Sequence, residues 1–212
     1  MREAAPATSR PEPAFGRRRP APGPFRRVLR CAPGAGPEAG KYRYLLEVAL
    51  APGPHPRLMV IGKNPSTASA SRSDPTLGKA EAWARRRGFG SLALVNLFAL
   101  RSPYPRDLNA VPYGEAVGEE NDAFIREAAR RADRAVAAWG NPNGVDEGRY
   151  ARRIAGAAAL LKGRDVHVAG MTKKGHPRHG LGWNSRGEAC PAPAELAALP
   201  IRAGAPPRRG RR

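Results

Sequence analysis

Four short apolar runs limit this chain more than any other feature: Leu58-Met59-Val60-Ile61-Gly62, Leu92-Ala93-Leu94-Val95, Arg134 to Trp139, and Val166 to Ala169. Each is nearly continuous instead of alternating with polar residues, the pattern of a strand covered on both faces. Helical signals lie between them. Asp74-Pro75 opens one helix with a capping carboxylate and a proline at the first position, Leu77, Ala80 and Ala84 form its apolar side, and Gly88 marks its exit. Glu119, Glu120 and Asp122 begin a second that finishes on Arg126, Arg130 and Arg131, the charge order a helix dipole favours. Asp146 to Lys162 is a third, with an inner stripe of Tyr150, Ile154, Ala158 and Leu161 and a stop at Gly163. Strands alternating with helices predict an α/β domain with a mainly parallel sheet. Tyr42 to Leu50 alternates and turns at Ala51-Pro52-Gly53-Pro54, so it reads as an antiparallel edge strand.

That order has a consequence for function. Asn64 and Ser66 follow the first buried run, Asn96 ends the next, Gly140-Asn141 follows the third, and His176 with His179 follows the fourth. The carboxyl ends of parallel strands share one edge of a sheet, where ligands bind, so four separate segments meet at one site. Each piece also has a plainer reading. Asn64-Pro65-Ser66-Thr67 suits a tight turn. Asn96 suits either loose backbone groups or another amide edge. His176 and His179 form an H-x-x-H without a third ligand at a recognisable spacing, so no metal is expected. Lys173 and Lys174 suit a solvated turn, and Arg85-Arg86-Arg87 suits a helix C-terminus.

The formal charge of +19 divides unevenly, with about +5 in residues 1–40, +10 in 41–190 and +4 in 191–212. The flanks are rich in Arg, Pro and Ala and are expected to be disordered basic tails around a single domain at 41–190. A polyanion, nucleic acid or nucleotide, is the expected partner, because part of the charge belongs to the folded region. No stretch approaches the roughly 18 consecutive apolar residues of a membrane helix, and the N-terminus has no apolar signal core. A cytoplasmic location without membrane contact is therefore expected. Cys31 and Cys190 form neither a disulfide framework nor a zinc pattern, and no cofactor motif occurs.

In sequence order, Ile61-Gly62-Lys63-Asn64-Pro65-Ser66-Thr67-Ala68, Asp74-Pro75-Thr76, Val95 to Arg101, Asn121-Asp122, Ala138-Trp139-Gly140 and Gly170 to His179 resemble the uncharacterised bacterial and phage domain of unknown function family 1643. The resemblance covers about residues 41–185. The family usually carries Leu or Met where Lys63 stands. A more distant similarity, through Gly62-Lys63-Asn64-Pro65, Asn96 and His176-Pro177, is to the uracil-DNA glycosylase superfamily. It implies a three-layer α/β/α sandwich in which Asn64 orients a hydrolytic water, Asn96 reads the base and His176 stabilises the departing base. Ser66 and Arg178-His179 depart from that superfamily's pattern. The expected site comprises catalytic Asn64 and His176, with Gly62, Lys63, Pro65, Ser66, Asn96, Arg101, Lys173, Arg178 and His179 around the ligand. Two other readings stay open: a non-catalytic nucleotide or nucleic-acid binding module, and a small-molecule enzyme for an anionic substrate.

Overall fold

The computed structural model describes residues 25–66, 68, 69, 71 and 73–183. Six strands form one mixed sheet: β1 (Arg27–Ala32), β2 (Leu45–Ala49), β3 (Arg57–Gly62), β4 (Ser91–Asn96), β5 (Arg134–Ala137) and β6 (Val166–Val168), in the spatial order β1-β2-β4-β3-β5-β6. β4, β3, β5 and β6 pair in parallel, while β2 is antiparallel to both β1 and β4. The α/β class and the four buried strands follow the sequence expectation. The edge assignment does not. β2 is interior, because residues 27–32, which the sequence reading leaves in a tail at 1–40, add β1 outside it. Residues 1–24 and 184–212, including Cys190, lie outside the described residues.

Among the described residues there are five α-helices: α1 (Pro37–Lys41), α2 (Pro75–Arg86), α3 (Tyr113–Val117), α4 (Asn121–Arg131) and α5 (Glu147–Leu160). The caps form as the sequence predicts. Asp74 Oδ1 accepts from the Leu77 amide at 2.8 Å, and Asp146 Oδ1 accepts from that of Arg149 at 2.8 Å. Alternate strand residues feed two separate apolar clusters, one per face. Met59, Ile61, Val95 and Ala137 pack with Ile125 of α4 and Tyr150 and Ala157 of α5. Leu58, Val60, Leu92 and Val136 pack with Leu77, Ala80 and Trp83 of α2 and with Trp183. Both faces of these strands are thus removed from water, which is why their sequences are continuous apolar runs. On α5 the buried stripe is Tyr150, Arg153, Ala157 and Leu161; Arg153 belongs to it, and Ile154 and Ala158 sit on its half-buried margin.

The chain order sets where a crevice opens. From β3 the chain crosses to β4 on one side, then returns over β3 to β5 and moves on to β6. The connections leaving neighbouring β3 and β5 therefore diverge, which leaves a gap beyond their carboxyl ends.

Candidate active site

A cleft of about 360 Å³ opens at that edge, lined by Gly62, Lys63, Asn64 and Ser66 after β3, Asn96 at the end of β4, Ala138 after β5, His179 to Leu181 after β6, and Arg43, Asp74 and Ser102 at the sides. Its volume suits one small molecule or one extruded nucleoside. The 62–74 loop that forms one wall is held by side chains reaching across the chain. Arg43 donates through Nη1 to the Ala68 carbonyl at 2.9 Å, and Arg101 donates through Nη1 to the same carbonyl at 3.0 Å and to that of Ser66 at 3.4 Å. Arg101 also donates from Nε to Tyr42 O. The Asn64 amide donates to Ser102 O at 2.8 Å and to Pro65 O at 3.2 Å, and the Ser102 amide returns a bond to Pro65 O. Asp74 closes the loop, since its Oδ2 accepts from the Ala68 amide at 3.3 Å. Pro65 and Arg101 therefore support the wall and do not line the cleft, while Thr67 lies outside the described residues.

Asn96 is the last residue of β4. The parallel register pairs it with Gly62, where a Cβ would stand 2.6 Å from Asn96 Oδ1. Glycine here lets the amide lie flat across the end of β3. Asn96 is 2 % exposed, and its Nδ2 has no hydrogen-bond partner among the described residues. Its backbone is fixed from behind: Asn121, fully buried, donates through Nδ2 to the carbonyls of Asn96 (3.1 Å) and Leu97 (3.0 Å), and Arg153 Nε also donates to Leu97 O. Arg153 in turn pairs with Asp122 at 2.7 Å. Asn121-Asp122 thus positions the strand end, and Arg153 completes the brace. Sequence reading missed Arg153, whose one available signal was its i+3 spacing from Tyr150.

Lys63 is buried, at 3 % exposure, and has no salt bridge among the described residues. Its ammonium lies 5.9 Å from the centre of the Tyr150 ring. Burial lowers its pKa to about 8. The Tyr150 hydroxyl donates to the Gly140 carbonyl at 2.8 Å, and burial raises its pKa.

The two histidines divide differently from the sequence expectation. After β6, Thr172 Oγ1 donates to Asn141 Oδ1 at 2.8 Å and accepts from the His176 amide at 3.2 Å, closing a turn with Gly175 at φ +78°. This turn sets His176 edge-on against Tyr150, 5.6 Å between ring centres, outside the cleft lining. His179 lines the cleft instead. It packs on Gly140, whose φ is +69° and whose added Cβ would meet His179 Cβ at 2.9 Å. Its Nδ1 accepts from the Leu181 amide at 3.2 Å, so the neutral ring carries its proton on Nε2 as a donor. Burial and then the Lys63 charge lower the pKa of both histidines. Lys173 is exposed on the turn, and Arg178 lies exposed against Gly170, its Nε donating to Met171 O at 3.4 Å; neither lines the cleft.

Other features are structural. Arg85 donates to Leu50 O and Phe25 O, and Arg87 lies over the Trp83 ring at 4.2 Å. A wider depression of about 910 Å³ lies among Phe25, the Pro52–Arg57 turn and Arg134, at the opposite end of the parallel strands. None of its lining side chains has a buried, unpartnered polar atom. Among the described residues no group of three or more His, Cys, Asp or Glu is placed to hold a metal ion, and no helix is long and apolar enough to cross a membrane.

No curated protein and no solved structure matches the chain. A family model described as protein of unknown function (DUF1643) matches residues 43–181, the span that contains β2 through β6 and every residue lining the cleft. The chain therefore belongs to the DUF1643 family.

Proposed function

We propose that this cleft recognises a nucleobase, presented by a nucleotide or extruded from nucleic acid. The observation that carries the reading is Asn96: a buried amide with an unpartnered Nδ2, braced from behind and open to a cleft of nucleoside size. An unmet buried donor costs about 1–3 kcal/mol, which a ligand with a complementary amide edge restores. A carboxamide presents one donor side and one acceptor side, the complement of a pyrimidine edge that carries both. Lys63 and the Nε2–H of His179 add donors toward a base that gains negative charge.

The reaction that suits such a pocket is hydrolysis of the N-glycosidic bond, on a fold of the uracil-DNA glycosylase type. A base must leave the stack before a protein can act on it. Two details favour weak turnover, or binding alone. Asp74, the one carboxylate in the cleft lining among the described residues, accepts from backbone amides at both oxygens, and the Asn64 amide nitrogen is committed to Pro65 and Ser102. Only Asn64 Oδ1 is left to orient water, without acid assistance. His179, in the cleft, replaces His176 as the proposed donor to the departing base.

The test is incubation of the full chain with oligonucleotides containing uracil, hypoxanthine or mismatches, followed by alkaline cleavage at abasic sites, with binding measured in parallel. Cleavage lost in Asn96→Ala supports a base-excision enzyme. Binding lost in Asn96→Ala without strand cleavage supports a recognition module. Absence of both activities in the wild-type chain refutes the nucleobase reading.

A further inference from the structure

The turn that follows β4 carries an aromatic side chain that the core does not use. Tyr104 is 59 % exposed, more than any other large apolar side chain among the described residues, and it belongs to none of the apolar clusters. A lone exposed aromatic is ordinary on a protein surface; the mounting and the place of this one are not. Pro103 and Pro105 restrict the backbone on both sides. The Ser102 hydroxyl accepts from the Tyr104 amide at 2.9 Å and donates to Asp107 Oδ2 at 2.6 Å, and the Tyr104 carbonyl accepts from the Asp107 amide at 3.0 Å. Ser102 O also holds the Asn64 amide, so the ring is presented from the frame that builds the cleft wall. Pro103 and Pro105 both line the cleft while Tyr104 does not, which places its Cα about 3.8 Å from a cleft residue on either side. Arg106 belongs to the same rim. Its guanidinium lies 5.4 Å from the centre of the Tyr104 ring, and its Cβ packs on Gly144 (φ +93°), where an added Cβ would stand 3.2 Å from it. Asn143, next to Gly144, lines the cleft. Asn109 locks the two segments together, donating to Gly144 O at 2.8 Å and accepting from the Asp146 amide at 2.9 Å. Arg106 has no ion-pair partner among the described residues, since the neighbouring Asp107 is engaged by Ser102.

We propose that Tyr104 and Arg106 form a strand-binding rim, Tyr104 stacking on the base next to the one in the cleft and Arg106 meeting the phosphate between them, so that the ligand is single-stranded nucleic acid and not a free nucleotide. The inference rests on the nucleobase reading of the cleft and names its substrate class. Every base has a π-face, so a stacking platform adds affinity without reading sequence. A neighbouring base offers that face only when its strand is unpaired and locally unstacked, because in a duplex adjacent base pairs cover it. A free mononucleotide fills the cleft and leaves the rim unused. An uncommitted guanidinium beside the ring suits the phosphodiester that joins two nucleotides.

The experiment measures binding of the full chain, by fluorescence anisotropy and calorimetry, to mononucleotides, to a short single-stranded oligodeoxynucleotide and to the blunt duplex of the same sequence. The single strand is expected to bind about tenfold or more tightly than any mononucleotide, and more tightly than the duplex. Tyr104→Ala should lose about tenfold on the strand, while Tyr104→Phe, which keeps the ring, should retain wild-type affinity. Arg106→Gln keeps the packing on Gly144 and should reduce the slope of log affinity against log salt by about 0.7. A strand that binds no more tightly than a mononucleotide, or Tyr104→Ala equal to wild type on the strand, overturns the rim and leaves base recognition standing. Strand binding that falls in Tyr104→Ala and Arg106→Gln but is unchanged in Asn96→Ala upholds the rim and refutes base recognition. A duplex bound as tightly as the strand overturns the single-strand assignment, and absence of binding to every probe overturns both readings.

Discussion

Replacing Lys63 by methionine should make the protein more stable while removing a functional charge. Methionine has about the same length as the lysine stem, so the change deletes mainly the charge and the ammonium's 5.9 Å approach to the Tyr150 ring. In the unfolded chain the amine titrates near 10.5; in the fold, burial lowers this to about 8. Below pH 8 the lysine is protonated in both states, and the cost of the buried charge is fully present. As pH rises from about 8 to 10.5 the folded protein releases the proton before the unfolded chain does, so the native state gains stability through that window. Above it both states are neutral and the cost is gone. The full difference is worth about 3 kcal/mol. Because the ammonium faces an open cleft and keeps some contact with water, about 2 kcal/mol is the expected gain for Lys63→Met at pH 7. Urea denaturation of both proteins at pH 7, 9 and 10.5 measures it. The gap should be largest at pH 7 and close toward pH 10.5. A variant no more stable than wild type at pH 7, or a gap that does not change with pH, would refute the claim that Lys63 is an unpaired buried charge.

Three further substitutions test the geometry. Gly62→Ala puts a Cβ 2.6 Å from Asn96 Oδ1, so it should displace the amide, lower stability by about 1–3 kcal/mol and abolish ligand binding, read by thermal melting and titration. Arg153→Met removes the partner of Asp122, whose side chain is 41 % exposed, and one of the two side-chain donors to the Leu97 carbonyl; a loss of about 1–2 kcal/mol in urea denaturation is expected. Tyr104, 59 % exposed beside the cleft-lining prolines 103 and 105 and stacked with Arg106 at 5.4 Å, is placed to stack on a neighbouring base. Tyr104→Ala should weaken single-stranded DNA by about 1–3 kcal/mol and leave mononucleotide affinity unchanged, measured by fluorescence anisotropy and calorimetry.

The parts of the fold that were legible in the sequence are those where one residue type has one physical use. Continuous apolar runs have to be buried on both faces, and they became β3, β4, β5 and β6; Asp74-Pro75 and Asp146 became helix starts with the expected capping bonds. β1 was not legible, because an edge strand with a mostly exposed face needs little apolar pattern and Arg27–Ala32 takes its order from pairing with β2. Arg153 was missed, since an arginine on an inner stripe is recognisable only when its buried carbonyl partner is known. At the site, the convergence of Gly62, Lys63, Asn64, Ser66, Asn96 and His179 followed from strand order alone. The division of labour between His176 and His179 did not, because it depends on the Thr172–Asn141 bond and on Gly140 admitting His179. Lys173 and Arg178 belong to the right loop but lie on its outer side.

The central claim is that the Asn96 amide reads the ligand, and the side-chain amide resonances of the ¹⁵N-labelled protein test it most directly. On titration with nucleosides and nucleotides, the Asn96 NH₂ pair should shift in proportion to occupancy, while the exposed Asn109 amide, bonded to Gly144 O at 2.8 Å, stays in place. Saturable binding that leaves the Asn96 pair unmoved would contradict the account.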